Sequence, residues 1–161
     1  MQLQELMKGI YYKGNPDNCE ITAVTYDSRK VKAGTLFVAI AGFKVDGHDY
    51  IYQAIENGAA AILSNGRSLN IKTVPIIQVK NPRIALSQIS ALFYGNPSKS
   101  MNVIGVTGTN GKTSITHILY HILQFSGYTC GSMGTLGFRT PTGMMNTGFT
   151  TPESVEVHQM L

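Results

Sequence analysis

The sequence predicts an α/β protein in two unequal parts, and three observations carry that prediction. Short apolar runs bounded by glycine alternate with stretches of helical spacing through the first hundred residues. A glycine-rich loop, residues 107–111, then stands between one such run and the start of a helix. Charge also thins abruptly along the chain. Residues 1–98 hold 10 basic and 7 acidic side chains, whereas residues 99–161 hold only Lys99, Lys112, Arg139, Glu153 and Glu156. So few charges cannot solvate the surface of an independent small domain. The expectation is an α/β domain over 1–98 and the beginning of a P-loop, Rossmann-like ATPase domain over 99–161.

The elements follow in order. Leu3, Leu6, Met7 and Ile10 lie at helical spacing, and residues 14–17 (GNPD) form a loop. Residues 21–25 favour a strand, closed by Asp27-Ser28-Arg29. Residues 36–40 (LFVAI) are continuously apolar, as a strand buried on both faces requires. Asp46 can cap a helix over 47–57 that Gly58 ends. Residues 59–63 and 74–79 are two further strands. Pro75 puts the latter at a sheet edge or delays its start. Asn81-Pro82 is a cap followed by a first-turn proline, and the helix after it is expected to bury Ile84, Ala85, Ile89, Leu92 and Phe93. Residues 95–98 (GNPS) mark the boundary. Beyond it come a buried strand over 103–106, a helix over 112–125 and a strand over 128–133. A glycine-rich extended or hairpin segment then occupies 134–150. Thr151 caps a last helix, with Pro152 in its first turn and Glu153 at its positive end. That helix has no C-cap before Leu161, so the sequence is expected to stop inside a fold.

Composition excludes several classes. The chain has 161 residues, 43% hydrophobic and 14% charged, against roughly 25% charged in ordinary soluble domains, so disorder is excluded. No apolar run reaches the roughly 18 residues of a membrane span, and the first residues lack the basic and apolar regions of a secretory signal. Cys19 and Cys130 read as buried free thiols of a cytoplasmic protein. The net charge is +4, but the densest basic stretch is only Arg29, Lys30 and Lys32, without interleaved aromatics, which argues against nucleic acid.

The strongest motif runs from Gly105 through Thr107, Gly108, Thr109, Asn110, Gly111, Lys112 and Thr113 to Ser114. Glycines let successive backbone N–H groups converge on one anion, and the helix start adds its positive dipole end. Residues 108–114 are therefore the candidate ATP-binding set. Lys112 is the catalytic cation for the β- and γ-phosphates, and the Thr113 hydroxyl a position for Mg²⁺. Strict Walker spacing asks for glycine where Val106 stands, which leaves a chance Gly-Lys-Thr at a helix start as the plain alternative. His117 and His121 lie four apart and suggest a zinc pair. No third ligand and no HExxH glutamate accompany them, which favours packing.

The string TGTNGKTS is similar to the phosphate loop of the Mur ligases. Residues 25–29 (TYDSR), Gly34, LFVAI, Gly42 and Asp46-Gly47-His48 resemble that family's N-terminal domain signature. Thr150-Thr151-Pro152-Glu153-Ser154 is similar to the segment of the branch that adds the third residue of the peptidoglycan stem peptide. The resemblance covers the whole chain and implies a UDP-muramoyl-binding domain over 1–98 and a partial central ATP-binding domain over 99–161. It implies a cytoplasmic enzyme, monomeric at full length, that uses ATP and Mg²⁺ to join diaminopimelate or lysine to UDP-N-acetylmuramoyl-L-alanyl-D-glutamate through an acyl-phosphate. Tyr26 and Ser28 would contact the uridine nucleotide, with Phe43, Lys44 and Val45 lining the same pocket and Thr150 and Thr151 holding the muramoyl-dipeptide. Phe43 and Phe149 depart from the polar residues usual in the family. The diamino-acid site and part of the metal site would lie outside this sequence, leaving the chain inactive by itself. A UDP-sugar-binding module without chemistry and another Mur-type ligase remain as alternatives. A small kinase is disfavoured, since no aspartate follows Asp49.

Overall fold

A computed structural model describes residues 1–16, 19–42, 45–66, 71–145 and 152–161. The chain divides into two compact units, residues 1–97 together with 154–161, and residues 98–153.

The first unit is built on a five-stranded sheet. Its strands are β1 (Tyr12–Lys13), β2 (Ala23–Thr25), β3 (Thr35–Val38), β4 (Ala59–Ser64) and β5 (Ile76–Val79), in the order β1-β5-β4-β3-β2. The four longer strands run parallel, and β1 joins antiparallel beside β5. Side chains alternate across a strand, so β3, an interior strand between β4 and β2, supplies two cores at once. Leu36 and Val38 face one layer with Val24, Leu63 and Ile77. Leu3 and Leu6 of helix α1 (Leu3–Leu6) and Ala85, Leu86 and Ile89 of α3 (Pro82–Phe93) close that layer. Phe37 and Ala39 face the other, against Ile62 and against Ile51 and Ala54 of α2 (Ile51–Glu56). The apolar run read from sequence is thus apolar because neither face of this strand meets water.

Local chemistry sets the helix starts. The Asn81 side chain accepts from the N–H groups of Arg83 and Ile84, and Pro82 follows at the first helical position. Asp46 caps what proves to be a 3₁₀ turn, Gly47–Tyr50, from which α2 continues.

Three expectations are corrected in this unit, and one is settled. The two-residue strand β1 has no sequence signal, because so short a segment shows no periodicity. Of the two readings of Pro75, the delayed start holds: β5 lies between β1 and β4 and begins one residue after the proline. Ile84 is exposed, since at the first turn of α3 it points away from the sheet. The last helix, α5 (Ser154–Met160), begins two residues after Pro152 rather than at it. Whereas the sequence groups residues 99–161 together, α5 sits with the first unit because Val155 enters the apolar layer of α3.

The second unit holds α4 (Lys112–Phe125) and a three-stranded antiparallel meander, β6 (Ser132–Gly134), β7 (Gly137–Thr140) and β8 (Gly143–Met145). The hairpin expected beyond residue 134 is present as far as Met145. Phe138 and Tyr120 are buried, and the Arg139 guanidinium lies over the Tyr120 ring, 5.0 Å from its centroid. The buried strand expected over 103–106 does not form, and Val103 and Ile104 are exposed. A strand needs a neighbour to take its N–H and C=O groups. Among the described residues, no strand pairs with this run. The strand expected from residue 128 starts only at Ser132. Cys19 is buried and Cys130 half-buried, both as free thiols.

Candidate functional site

The phosphate loop is carried by α4, whose start is shaped by glycine. Gly111 is its N-cap at φ +79°, the left-handed region that an L side chain enters at a cost of about 1–2 kcal/mol. Glycine offers no side chain to cap the helix. The first amide of the helix to find a carbonyl is that of Ile115, which donates to Gly111 O at 2.9 Å. The N–H groups of Lys112, Thr113 and Ser114 therefore project from a 14-residue helix without an acceptor among the described residues. Together with roughly half a positive charge from the aligned peptide dipoles, they form an anion-binding end.

Lys112 belongs to this end. Its ammonium folds back over the loop and donates to the carbonyls of Gly108 at 2.7 Å and Thr109 at 3.3 Å. It thereby masks the loop's negative groups while its charge stays beside the free amides. Thr113 Oγ1 lies 3.4 Å from Thr135 Oγ1, and both hydroxyls are in the exposed part of the unit. Two hard oxygen donors beside a phosphate-binding end suit Mg²⁺ in kind. Asn110 and Ser114 are exposed on the same loop and first turn.

The second constellation is the turn after β2. Asp27 caps the 3₁₀ turn Ser28–Lys30 through the Arg29 N–H, and its carboxylate takes the Arg29 side chain in a two-pronged pair at 2.9 and 2.8 Å. The Arg29 hydrogen bonds hold the Asp27 carboxyl below its ordinary pKa, against the opposing effect of partial burial. Ser28 is buried. Its hydroxyl donates to Gln53 Oε1 at 2.9 Å, and its carbonyl accepts from Asn57 Nδ2 at 3.1 Å. Tyr26 donates its hydroxyl to Glu156 Oε1 at 3.1 Å, and Lys30 Nζ lies 3.6 Å from the same oxygen. Asp46 Oδ1 accepts from the His48 N–H and lies 2.6 Å from Nδ1 of the buried His48 ring, which makes that histidine part of a fixed turn.

The predicted residues fall into three groups. Gly108, Thr109, Asn110, Gly111, Lys112, Thr113 and Ser114 are contiguous around one helix start in the second unit. Tyr26 and Ser28 flank Asp27 at the end of β2 in the first unit, and Val45 is exposed in that same unit. Phe43, Lys44, Thr150 and Thr151 lie outside the described residues. Sequence reasoning missed Gln53, Asn57 and Glu156. Gln53 and Asn57 are one helical turn apart on one side of α2, a pattern that would have marked a polar face but not its target. Glu156 is 130 residues from Tyr26 and carries no signal.

The sequence model of the Mur ligase family, catalytic domain, matches residues 20–94, and that of the Mur ligase middle domain matches residues 106–161. The chain is 41% identical over 162 residues to the UDP-N-acetylmuramoyl-L-alanyl-D-glutamate–2,6-diaminopimelate ligase of Caldanaerobacter subterraneus subsp. tengcongensis, covering 99% of this chain and 33% of that one. Among solved structures it resembles the MurF ligase of Thermotoga maritima in complex with ADP. There the TM-score is 0.50 and the identity 34%, over 66% of this chain and 24% of that one. A solved UDP-N-acetylmuramoyl-L-alanyl-D-glutamate–2,6-diaminopimelate ligase aligns with 99% of this chain and 32% of its own, at TM-score 0.69 and 22% identity, a likeness of fold. The chain spans about a third of the length of the curated relatives it matches.

Proposed function

The chain belongs to the Mur ligase family, and on that premise we propose that it is part of a ligase that uses ATP to add a diamino acid to UDP-N-acetylmuramoyl-L-alanyl-D-glutamate in peptidoglycan synthesis. Diaminopimelate is the amino acid in the name of the Caldanaerobacter relative, and we assign it to this chain as well. Residues 1–98 form the nucleotide-sugar domain and residues 99–161 the beginning of the ATP-binding domain, in the cytoplasm. Among the described residues, no helix is long and apolar enough to cross a membrane.

The observation that carries this proposal is the uncapped start of α4 with Lys112 folded over the loop. The free amides of residues 112–114 bind the triphosphate. Lys112 exchanges its two carbonyl acceptors for phosphate oxygens, which strengthens each contact because the new acceptor is charged. Thr113 would hold Mg²⁺ in part, and the ion would supply charge neutralisation for transfer between two anions. The γ-phosphoryl group moves to the D-glutamate carboxylate and ADP leaves. The diamino acid's amine then attacks the acyl-phosphate carbon and displaces inorganic phosphate. Tyr26 and Ser28 contact the uridine nucleotide, next to Phe43, Lys44 and Val45, while Thr150 and Thr151 hold the muramoyl-dipeptide.

Calorimetric titration with ATP tests the proposal. A hydrogen-bonded charge contributes about 1.5–3 kcal/mol, so Lys112→Ala should weaken ATP binding tenfold or more. Equal affinity in parent and variant would remove the phosphate loop from the account.

A further inference from the structure

One flank of α4, beside Tyr120, carries an arrangement that the candidate phosphate loop does not use. The rings of His117 and His121 are exposed, one helical turn apart, with Nε2 facing Nε2 at 3.1 Å. The ring centroids are 4.5 Å apart at an interplanar angle of 77°. Among the described residues, neither ring is buried. Their place on the helix matters too. Ile115, Ile118, Ile122 and Phe125 form one exposed apolar stripe. At 100° per residue the two histidines fall outside it, on a polar strip with Ser114 and Gln124. An element that covers the apolar stripe leaves the imidazoles in water.

We infer that His117 and His121 form a two-imidazole site for a divalent transition-metal ion of the copper, nickel and zinc class. The geometry is nearly that of the loaded site. Two metal–nitrogen bonds of about 2.05 Å place their nitrogens about 3.3 Å apart at a tetrahedral angle and about 2.9 Å apart at a right angle. The observed separation lies between these values. In the metal-free pair one ring's Nε2–H donates to the other ring's Nε2, so a metal ion takes the place of that shared proton. On loading, that proton moves to Nδ1 of the donor ring or, where Nδ1 already carries one, leaves to water. The His121 ring is steadied from behind by the edge of Tyr120, at 5.4 Å between centroids, and Tyr120 is in turn stacked under Arg139. The remaining coordination positions are open to water or an anionic oxygen. Imidazole ligands select against Mg²⁺, so this site and the phosphate-loop metal position do not compete for one ion.

The test is titration of the full 161-residue chain, free of any affinity tag, with Ni²⁺ and Cu²⁺ by calorimetry, alongside His117→Ala and His121→Ala. Alanine suits an exposed helix position, so both variants keep the helix. The parent should bind one equivalent, Cu²⁺ more tightly than Ni²⁺. Each variant should lose affinity fivefold or more. A smaller loss in either variant overturns the site and assigns the binding to another histidine or a thiol. Paramagnetic resonance of the one-equivalent Cu²⁺ complex gives a second readout. Coupling to two imidazole nitrogens supports the pair, and coupling to one or none refutes it.

Discussion

Gly47, the middle residue of Asp46-Gly47-His48, is the most direct place to test why this motif has its sequence. A methyl group at Gly47 would sit 2.8 Å from both the N and the O of Ile40, and 3.4 Å from Ala39 Cα. These are main-chain atoms just after β3, a strand paired on both sides by β2 and β4, so they cannot yield as a side-chain tip would. The Gly47 N–H also donates to Ile40 O at 2.9 Å, a bond that any retreat stretches. Overpacking of this kind costs about 1–3 kcal/mol, and the hydrogen bond about 1 kcal/mol more. For a chain of this size each kcal/mol lowers Tm by about 2–4 °C. Gly47→Ala should therefore melt roughly 4–16 °C below the parent in a circular-dichroism scan. Gly134→Ala is the matched control, because a methyl group there meets nothing within 4 Å and the backbone has no left-handed φ. The control should stay within about 1 °C of the parent. If Gly47→Ala melts with the parent, the close approach to Ile40 does not explain the glycine.

Two other substitutions probe the first unit. Gln53→Ala removes the acceptor of the Ser28 hydroxyl; with about 1 kcal/mol per neutral hydrogen bond, calorimetric affinity for UDP should fall about fivefold. Unchanged affinity would mean that the hydroxyl's orientation plays no part in nucleotide binding. His158 on α5 is held below its ordinary pKa of 6.5 by burial, so the native state binds its proton less readily than the unfolded chain does. Its contribution to stability is complete above pH 6.5 and is lost as pH falls from there through the depressed native value. Denaturant midpoints should drop between about pH 7 and pH 5 more steeply in the parent than in His158→Gln, and parallel pH profiles would refute the assignment.

The candidate phosphate loop could be located because every part of it is local. Helix start, glycine, lysine and hydroxyl lie within seven residues, and the backbone geometry that makes them an anion site is a property of a single helix end. The capped starts at Asp46 and Asn81 were legible for the same reason, and so was the strand 36–40, whose apolar run reports burial on two faces. Ser28 shows where such reading stops. The sequence places it in a turn, but only the packed sheet brings Gln53 and Asn57 of α2 to its hydroxyl and carbonyl.

The sequence alone therefore determined the α/β class, the order of the parallel unit's main elements and the place of the candidate phosphate loop, because periodicity, caps and glycines act over a few residues. Tertiary structure decided the antiparallel strand β1, the seat of α5 and the partners of Tyr26 and Ser28, since these join groups far apart in the chain. Among the described residues, no strand pairs with residues 103–106 and nothing covers His117 or His121. An apolar run is only a strand when another strand takes its hydrogen bonds, and a histidine is only a core residue when a neighbour covers it.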